Sequence, residues 1–307
     1  MNGEQAAPGH TVPGHTVPGH AAPARHSLDV LLDNWRDQLD AWAIPERITR
    51  AVAESPWVLP RQVFARRTDR LTAAPQGPSY WRAWSALDPP GSVLDVGAGA
   101  GAACIPLLAR TTALTAVDTD PGMLALLAER ASALTGKVRL VPGSWPAAAP
   151  DAAPADLVTC FNVVYNAPDI LPFLAALTAS ARRLVVTEMT AEHPMVGLNA
   201  LWLRFHGLRR PEGPTADDVL AILAAMGIQA GHERWQRPGG ADYASFAELT
   251  DVTRRRLCLP ADRADDIAQA LVEAGADPDH PVDLGTSRRE VVTIWWAGSA
   301  AGRDYLE

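Results

Sequence analysis

The sequence is poor in the features that announce a secreted, membrane-bound or metal-dependent protein. Among 307 residues there are three cysteines, Cys104, Cys160 and Cys258. None stands in C-x-x-C spacing and each lies in an apolar segment, which argues against a zinc site or a disulfide framework and reads as buried thiols. No apolar run reaches the ~18 residues of a membrane span, and the N-terminus lacks the apolar core of a secretory signal. Basic charge is short as well. The formal net charge is -8, so no global field draws nucleic acid or an anionic membrane. The expectation is a cytoplasmic protein with no nucleic-acid, membrane or metal partner. Apolar residues to bury are lacking over residues 1–26, where Pro8-Gly-His10, Pro13-Gly-His15 and Pro18-Gly-His20 recur. Proline and glycine at that density hold neither helix nor ladder, and the stretch reads as a disordered tail whose histidines have no rigid frame for a metal.

What is present is a chain long enough for one large α/β domain with additional helices, and a hydrophobic share of 48% to fill its core. Its centre is Ser92-Val-Leu-Asp-Val-Gly-Ala-Gly-Ala-Gly-Ala102. Val93 to Val96 reads as a buried parallel strand, Gly97 to Gly101 as a turn, and Ala102 to Arg110 as a helix with Pro106 inside it. A strand, a glycine-rich turn and a helix opening suit a nucleotide, because backbone approaches the ligand closely and N–H groups face it. Asp95, inside the strand, is not required by the dinucleotide fingerprint; an acid there can face a cation. Ala113 to Asp118 reads as the next strand, ending in a carboxylate placed to accept both hydroxyls of a ribose.

Asp95, Asp118 and the glycine turn resemble the class I S-adenosylmethionine-dependent methyltransferases. The strings YNAPD, TAEHP and RPEGPTADD are similar to an actinobacterial-type, small-molecule group within them. The resemblance implies a doubly wound, seven-stranded, mostly parallel Rossmann-like α/β sheet. It also implies S-adenosyl-L-methionine as cofactor, with Gly97, Gly99 and Gly101 beneath its methionine part, Asp95 near its ammonium and Asp118 on the ribose. Where relatives often carry an acid for the adenine amino group this chain has Ser144. Trp145 beside it either stacks on the ring or packs in the loop. An N-terminal helical segment that closes over the cofactor would make Tyr80 or Trp81 a contact.

The rest of the chain fits that plan. Residues 27–85 read as a helical cap, with Leu28, Leu31, Leu32, Trp35, Leu39 and Trp42 at helical spacing behind Ser27 as N-cap, and further helices at Arg61 to Leu71 and Pro78 to Leu87. Residues 86–190 form the cofactor core. Its third, fourth and fifth strands read at Val138–Val141, Ala155–Val163 and Leu184–Thr190. Residues 191–307 read as substrate-lid helices and closing strands, with a capping-box start at Thr215, strands at Ile228–Trp235 and Glu290–Trp296, and an insertion between them. Arg254-Arg-Arg256 in that insertion reads as a solvated face.

Asn162, Tyr165 and Asn166 fall at the end of the fourth strand, where ligands of open α/β sheets bind. Asn162 is assigned to the cofactor, Tyr165 and Asn166 to the acceptor, though all three could instead satisfy loop backbone. His193 has two readings, a general base titrating near ~6.5 or the cap of a turn before Pro194. Glu188 is nearer the strand but expected inside the sheet. The function expected is methyl transfer to oxygen or nitrogen of a small molecule, driven by proximity and orientation with possible general-base help. A nicotinamide-dependent oxidoreductase and a non-catalytic S-adenosylmethionine-binding regulatory protein share parts of the pattern.

Overall fold

A computed structural model describes residues 27–299, apart from 51, 54, 58, 59, 135, 241 and 283–288. The Pro-Gly-His repeats lie outside the described residues. Among the described residues seven strands form one sheet: β1 (Gly91–Val96), β2 (Thr111–Asp118), β3 (Val138–Pro142), β4 (Ala155–Phe161), β5 (Ala181–Thr190), β6 (Gly231–Gln236) and β7 (Glu290–Ala297). Their order is β3-β2-β1-β4-β5-β7-β6. β1 to β5 run parallel and β7 is antiparallel to both β5 and β6. The chain therefore has the doubly wound, seven-stranded, mostly parallel Rossmann-like sheet that the resemblance implies. The order reverses between β1 and β4, which opens a crevice at their carboxyl ends.

Among the described residues ten α-helices accompany the strands: α1 (Leu28–Asp40), α2 (Glu46–Thr49), α3 (Arg61–Ala73), α4 (Pro78–Ala86), α5 (Pro121–Arg130), α6 (Ile170–Ser180), α7 (Asn199–His206), α8 (Ala216–Ala225), α9 (Phe246–Arg256) and α10 (Ala264–Glu273). Alternation along the strands sends Val96, Val158 and Val185 to one face of the sheet, Val93, Leu157 and Val186 to the other. α1, α6 and α8 cover the first face, α4 and α5 the second. No described helix is long and apolar enough to cross a membrane.

The N-terminal helices do not act as one unit. Trp35 of α1 is fully buried in the sheet core and its Nε1 donates to the Ala167 carbonyl at 2.8 Å. α4 packs on β4, β5 and β7 across the sheet. α3 reaches the crevice, joined there by Trp57 before it and by Tyr80 of α4. Trp42, Ile48 and Val63 join α7, α9 and α10 in a third cluster built on Trp202, Leu249 and Ile267.

Local chemistry explains the boundaries. Ser27 caps α1 through Val30 N–H, and Thr215 with Asp218 makes the capping box of α8. The helix expected at Ala102–Arg110 is a turn followed by a 3-10 helix, Ile105–Arg110, with Pro106 in its first turn. An α-helix carried through Pro106 would lose an i→i−4 bond and clash with the preceding turn. β4 stops two residues before the expected Val163, because Asn162 adopts φ 61, a left-handed conformation that ends the ladder. The arginine run is no solvated face. Arg254 is buried, its Nη1 donating to the Leu259 carbonyl at 2.7 Å.

Candidate active site

The crevice holds one cavity of ≈ 560 Å³, lined by the glycine turn, by the carboxyl ends of β1, β2, β4 and β5, and by residues of α3 and β6. That volume lies within the ~300–1,000 Å³ of small-molecule sites.

The turn is set by backbone needs. Gly97, Gly99 and Gly101 have φ 69, 53 and 97, values that side chains other than glycine rarely adopt. A Cβ on Gly97 would lie 2.3 Å from Val163 Cγ2, so the turn and the loop after β4 approach as closely as glycine permits. Gly97 and Ala98 N–H donate to the Val117 carbonyl at 2.8 and 3.0 Å, tying the turn to β2.

Two acids meet at this turn. Asp95 is buried beside Thr159 of β4, whose hydroxyl donates to Oδ1 at 2.8 Å. Its Oδ2 is buried and makes no hydrogen bond of ordinary geometry among the described residues, with Cys104 nearby, and the residue is part of the cavity lining. Burial pushes this carboxyl up to about 6, against the opposing pull of Cys104 and Thr159. A buried, unmatched carboxylate oxygen at a cavity wall calls for a cation, and the ammonium of an amino-acid-bearing cofactor supplies one. Asp118, half-buried, accepts from Gly99 N–H through Oδ2 and from Asp120 N–H through Oδ1, both at 2.8 Å. Each oxygen keeps a lone pair for a ribose hydroxyl. The residues present fit S-adenosylmethionine.

Ser144, Trp145, Asn162 and Asn166 line the same cavity. Trp145 is held by its Nε1, which donates to the Phe173 carbonyl at 3.3 Å. Asn162 Nδ2 donates to Glu188 Oε1 at 3.3 Å, and its Oδ1 accepts from the Tyr165 hydroxyl at 3.2 Å. Tyr80 lines the cavity, whereas Trp81, in edge contact with it, points to solvent.

Two candidates stand elsewhere. His193 is buried outside the cavity lining, stacked on Trp42 at 4.3 Å, with Nδ1 accepting from Met195 N–H at 3.3 Å. Burial, helped by Arg210, lowers it to about 4. Of its two readings the geometry fits the turn cap, and the candidate base at the cavity becomes Glu188. Tyr165 is also buried behind the lining, and burial pushes its phenol up to about 12. It reaches the cavity only through Asn162.

Several lining residues were not legible in the sequence. α3 presents Arg61, Phe64, Thr68 and Leu71 to the cavity at helical spacing, a stripe too mixed in polarity for hydrophobic periodicity to mark. Arg61 pairs with Asp120 through two hydrogen bonds of 2.9 and 2.8 Å. Arg67 Nε and Arg70 Nη2 close on the two carboxylate oxygens of buried Asp242, at 2.9 and 2.8 Å. Arg237, just past β6, pairs with Glu188. Among the described residues no group of three or more His, Cys, Asp or Glu is arranged to hold a metal.

Residues 93–184 match the family model described as a methyltransferase domain. No curated protein matches the sequence. Among solved structures, the YcgJ protein of Bacillus subtilis is 16% identical with a TM-score of 0.46, over 71% of this chain and 98% of its own. Magnesium protoporphyrin IX methyltransferase of Synechocystis, solved with bound SAH, is 13% identical with a TM-score of 0.44, over 89% and 99%. Precorrin-6y C5,15-methyltransferase of Geobacter metallireducens is 12% identical with a TM-score of 0.41, over 71% and 86%.

Proposed function

We propose, from the premise that residues 93–184 match a methyltransferase domain and that the cavity fits S-adenosylmethionine, that the chain methylates a small molecule at oxygen or nitrogen. The observation that carries this reading is the continuity of one cavity. It joins the glycine turn, Asp95 and Asp118 to a second half walled by Phe64, Tyr80, Phe161 and Trp235. When bound, the cofactor supplies a methyl group on a sulfonium, already activated toward nucleophiles.

The chain's own residues then have three tasks. Asp95 and Asp118 fix the amino-acid and ribose ends, while Ser144 and the anchored ring of Trp145 stand where the adenine would lie. Asn162 and Asn166 form the polar edge between the two halves, with Tyr165 holding Asn162 in place. α3, from the N-terminal region 27–85, and Trp235 with Arg237, from the C-terminal region 191–307, complete the lining around the core of 86–190. Aligning an acceptor in such an enclosure supplies much of the acceleration without a covalent step.

Thermal unfolding with added ligands tests the reading. S-adenosylmethionine or S-adenosylhomocysteine raises the melting temperature, and NAD and NADP leave it unchanged. A ligand at ~100 times its dissociation constant stabilises the native state by about 2.7 kcal/mol. Stabilisation by NADH alone would move the chain to the oxidoreductases.

A further inference from the structure

We propose that the acceptor is a neutral phenol whose hydroxyl sits between Glu188 and Arg237, a substrate assignment that rests on the methyl-transfer reading of this cavity. Both residues line the cavity. Their side chains are 11% and 12% exposed, and Arg237 Nη2 donates to Glu188 Oε1. Asn162 Nδ2 donates to that same oxygen. Among the described residues no hydrogen bond reaches Glu188 Oε2, and none leaves Arg237 Nε or Nη1. An acceptor oxygen and spare N–H donors thus stand side by side at the ends of β5 and β6.

Charge selects the class. Four arginines and four carboxylates line the cavity, and most are already committed. Arg61 closes on Asp120, and Arg67 and Arg70 close on Asp242 behind the wall. Asp95 and Asp118 belong to the cofactor turn. What remains for the acceptor is one cation paired with one anion. An ammonium drawn to Glu188 would be repelled by Arg237, and a carboxylate drawn to Arg237 would be repelled by Glu188. A neutral hydroxyl satisfies both, donating to Glu188 Oε2 and accepting from Arg237. The flat faces of Trp235, Tyr80, Phe64 and Phe161 favour an aromatic carrier. A phenol, ionising near ~10, is also far easier for a carboxylate to deprotonate than an aliphatic alcohol. The balance closes: the hydroxyl proton passes to Glu188 while Arg237 holds the oxygen's developing negative charge. That oxygen bonds the methyl carbon as the carbon–sulfur bond breaks, its electron pair staying on sulfur.

The test uses the full chain saturated with S-adenosylhomocysteine and a ring series: phenol and 2-naphthol against 2-methoxynaphthalene, 2-naphthoate and 2-naphthylmethylammonium. At least one phenol should bind ~10-fold or more tighter than the ether, the acid and the ammonium, a difference of about 1.4 kcal/mol. Labelled methyl transfer to that phenol should fall ~100-fold or more in Glu188→Gln at neutral pH, and the loss should shrink as pH nears ~10 and the phenol ionises unaided. Arg237→Lys should restore more transfer than Arg237→Met, with homocysteine-product affinity unchanged in all three. Preference for the acid or the ammonium, failure of both phenols to bind, or a Glu188→Gln loss that ignores pH would overturn the assignment. Failure of S-adenosylhomocysteine itself to bind would instead remove the methyl-transfer reading, and the wild-type binding series remains decisive if a variant does not fold.

Discussion

The backbone N–H of Gly99 donates to Asp118 Oδ2 at 2.8 Å, so a single carboxylate at the end of β2 both pins the glycine turn and faces the cavity. Removing it acts twice. Asp118→Ala loses the ribose acceptor and frees the turn, and because hydrogen bonds to a charged group are worth roughly 1.5–3 kcal/mol, affinity for S-adenosylhomocysteine should drop about 10- to 100-fold. Asp118→Asn keeps one carbonyl oxygen and should fall between. Titration calorimetry on both variants checks the order; wild-type affinity in a folded Asp118→Ala would remove the ribose assignment.

Two groups give stability opposite dependences on pH. Asp95 is raised to about 6 from 3.8, so between those values the folded state holds a proton that the unfolded chain has lost, and its contribution to stability falls as pH rises. His193 is lowered to about 4 from 6.5, so in that window it is neutral when folded and protonated when unfolded, and its contribution rises with pH. Asp95→Asn should leave stability climbing from about 4 to 6.5, and His193→Gln should leave it declining from 3.8 to about 6. Denaturant titrations across that range measure both slopes. Affinity for S-adenosylhomocysteine should also weaken below about 6 as Asp95 protonates, and Asp95→Asn should flatten that profile. Unaltered slopes in both variants would contradict the burial argument.

Gly97→Ala tests the closest approach in the site. The new methyl would meet Val163 Cγ2 at 2.3 Å on a backbone with φ 69. Overpacking of this kind costs about 1–3 kcal/mol, which for a domain of this size lowers the melting temperature by roughly 2–4 °C per kcal/mol. Adding Val163→Ala relieves the clash but not the backbone strain, so the double variant should recover only part of the loss. Full recovery would show that φ at Gly97 carries no cost.

Asp242→Ala strips the shared partner from Arg67 and Arg70, whose side chains are 13% and 28% exposed. Breaking a fully buried pair costs about 3–5 kcal/mol; partial exposure of the arginines scales the expected loss to roughly 1–3 kcal/mol. Asp33→Ala removes one of the two carboxylates paired with Arg36, at a site with 74% exposure, and should change stability by less than ~0.5 kcal/mol. Urea unfolding of the two variants side by side is the measurement, and equal effects would mean that burial of Asp242 is immaterial.

The glycine-turn side of the cavity was legible because its signals are local. Asp95 sits in an apolar run, Asp118 ends the next one, and both glycine spacing and strand period are read within a few residues. The Glu188–Arg237 side was not, because its partners are remote. Glu188 and Arg237 are 49 residues apart and meet only because β6 joins the sheet through β7. Asp242 draws two arginines from a helix more than 170 residues earlier. His193 shows the converse: its place after β5 left a base and a turn cap both open, and only the structure shows its ring stacked on Trp42 outside the cavity lining. The helix expected after Gly101 failed on Pro106, whose effect the sequence announced but whose outcome, a 3-10 segment, depended on the turn before it.

Arg61 joins the crevice helix to Asp120, which also caps α5 beside the ribose acid. Unlike the inner cluster at Asp242, this outer link is open to water, with side chains 56% and 36% exposed, and dissolved salt screens it. Added salt should therefore loosen the tie between α3 and the start of α5 well before it reaches the sheltered pairs at Asp242, so the two ends of one helix answer differently to the same solution.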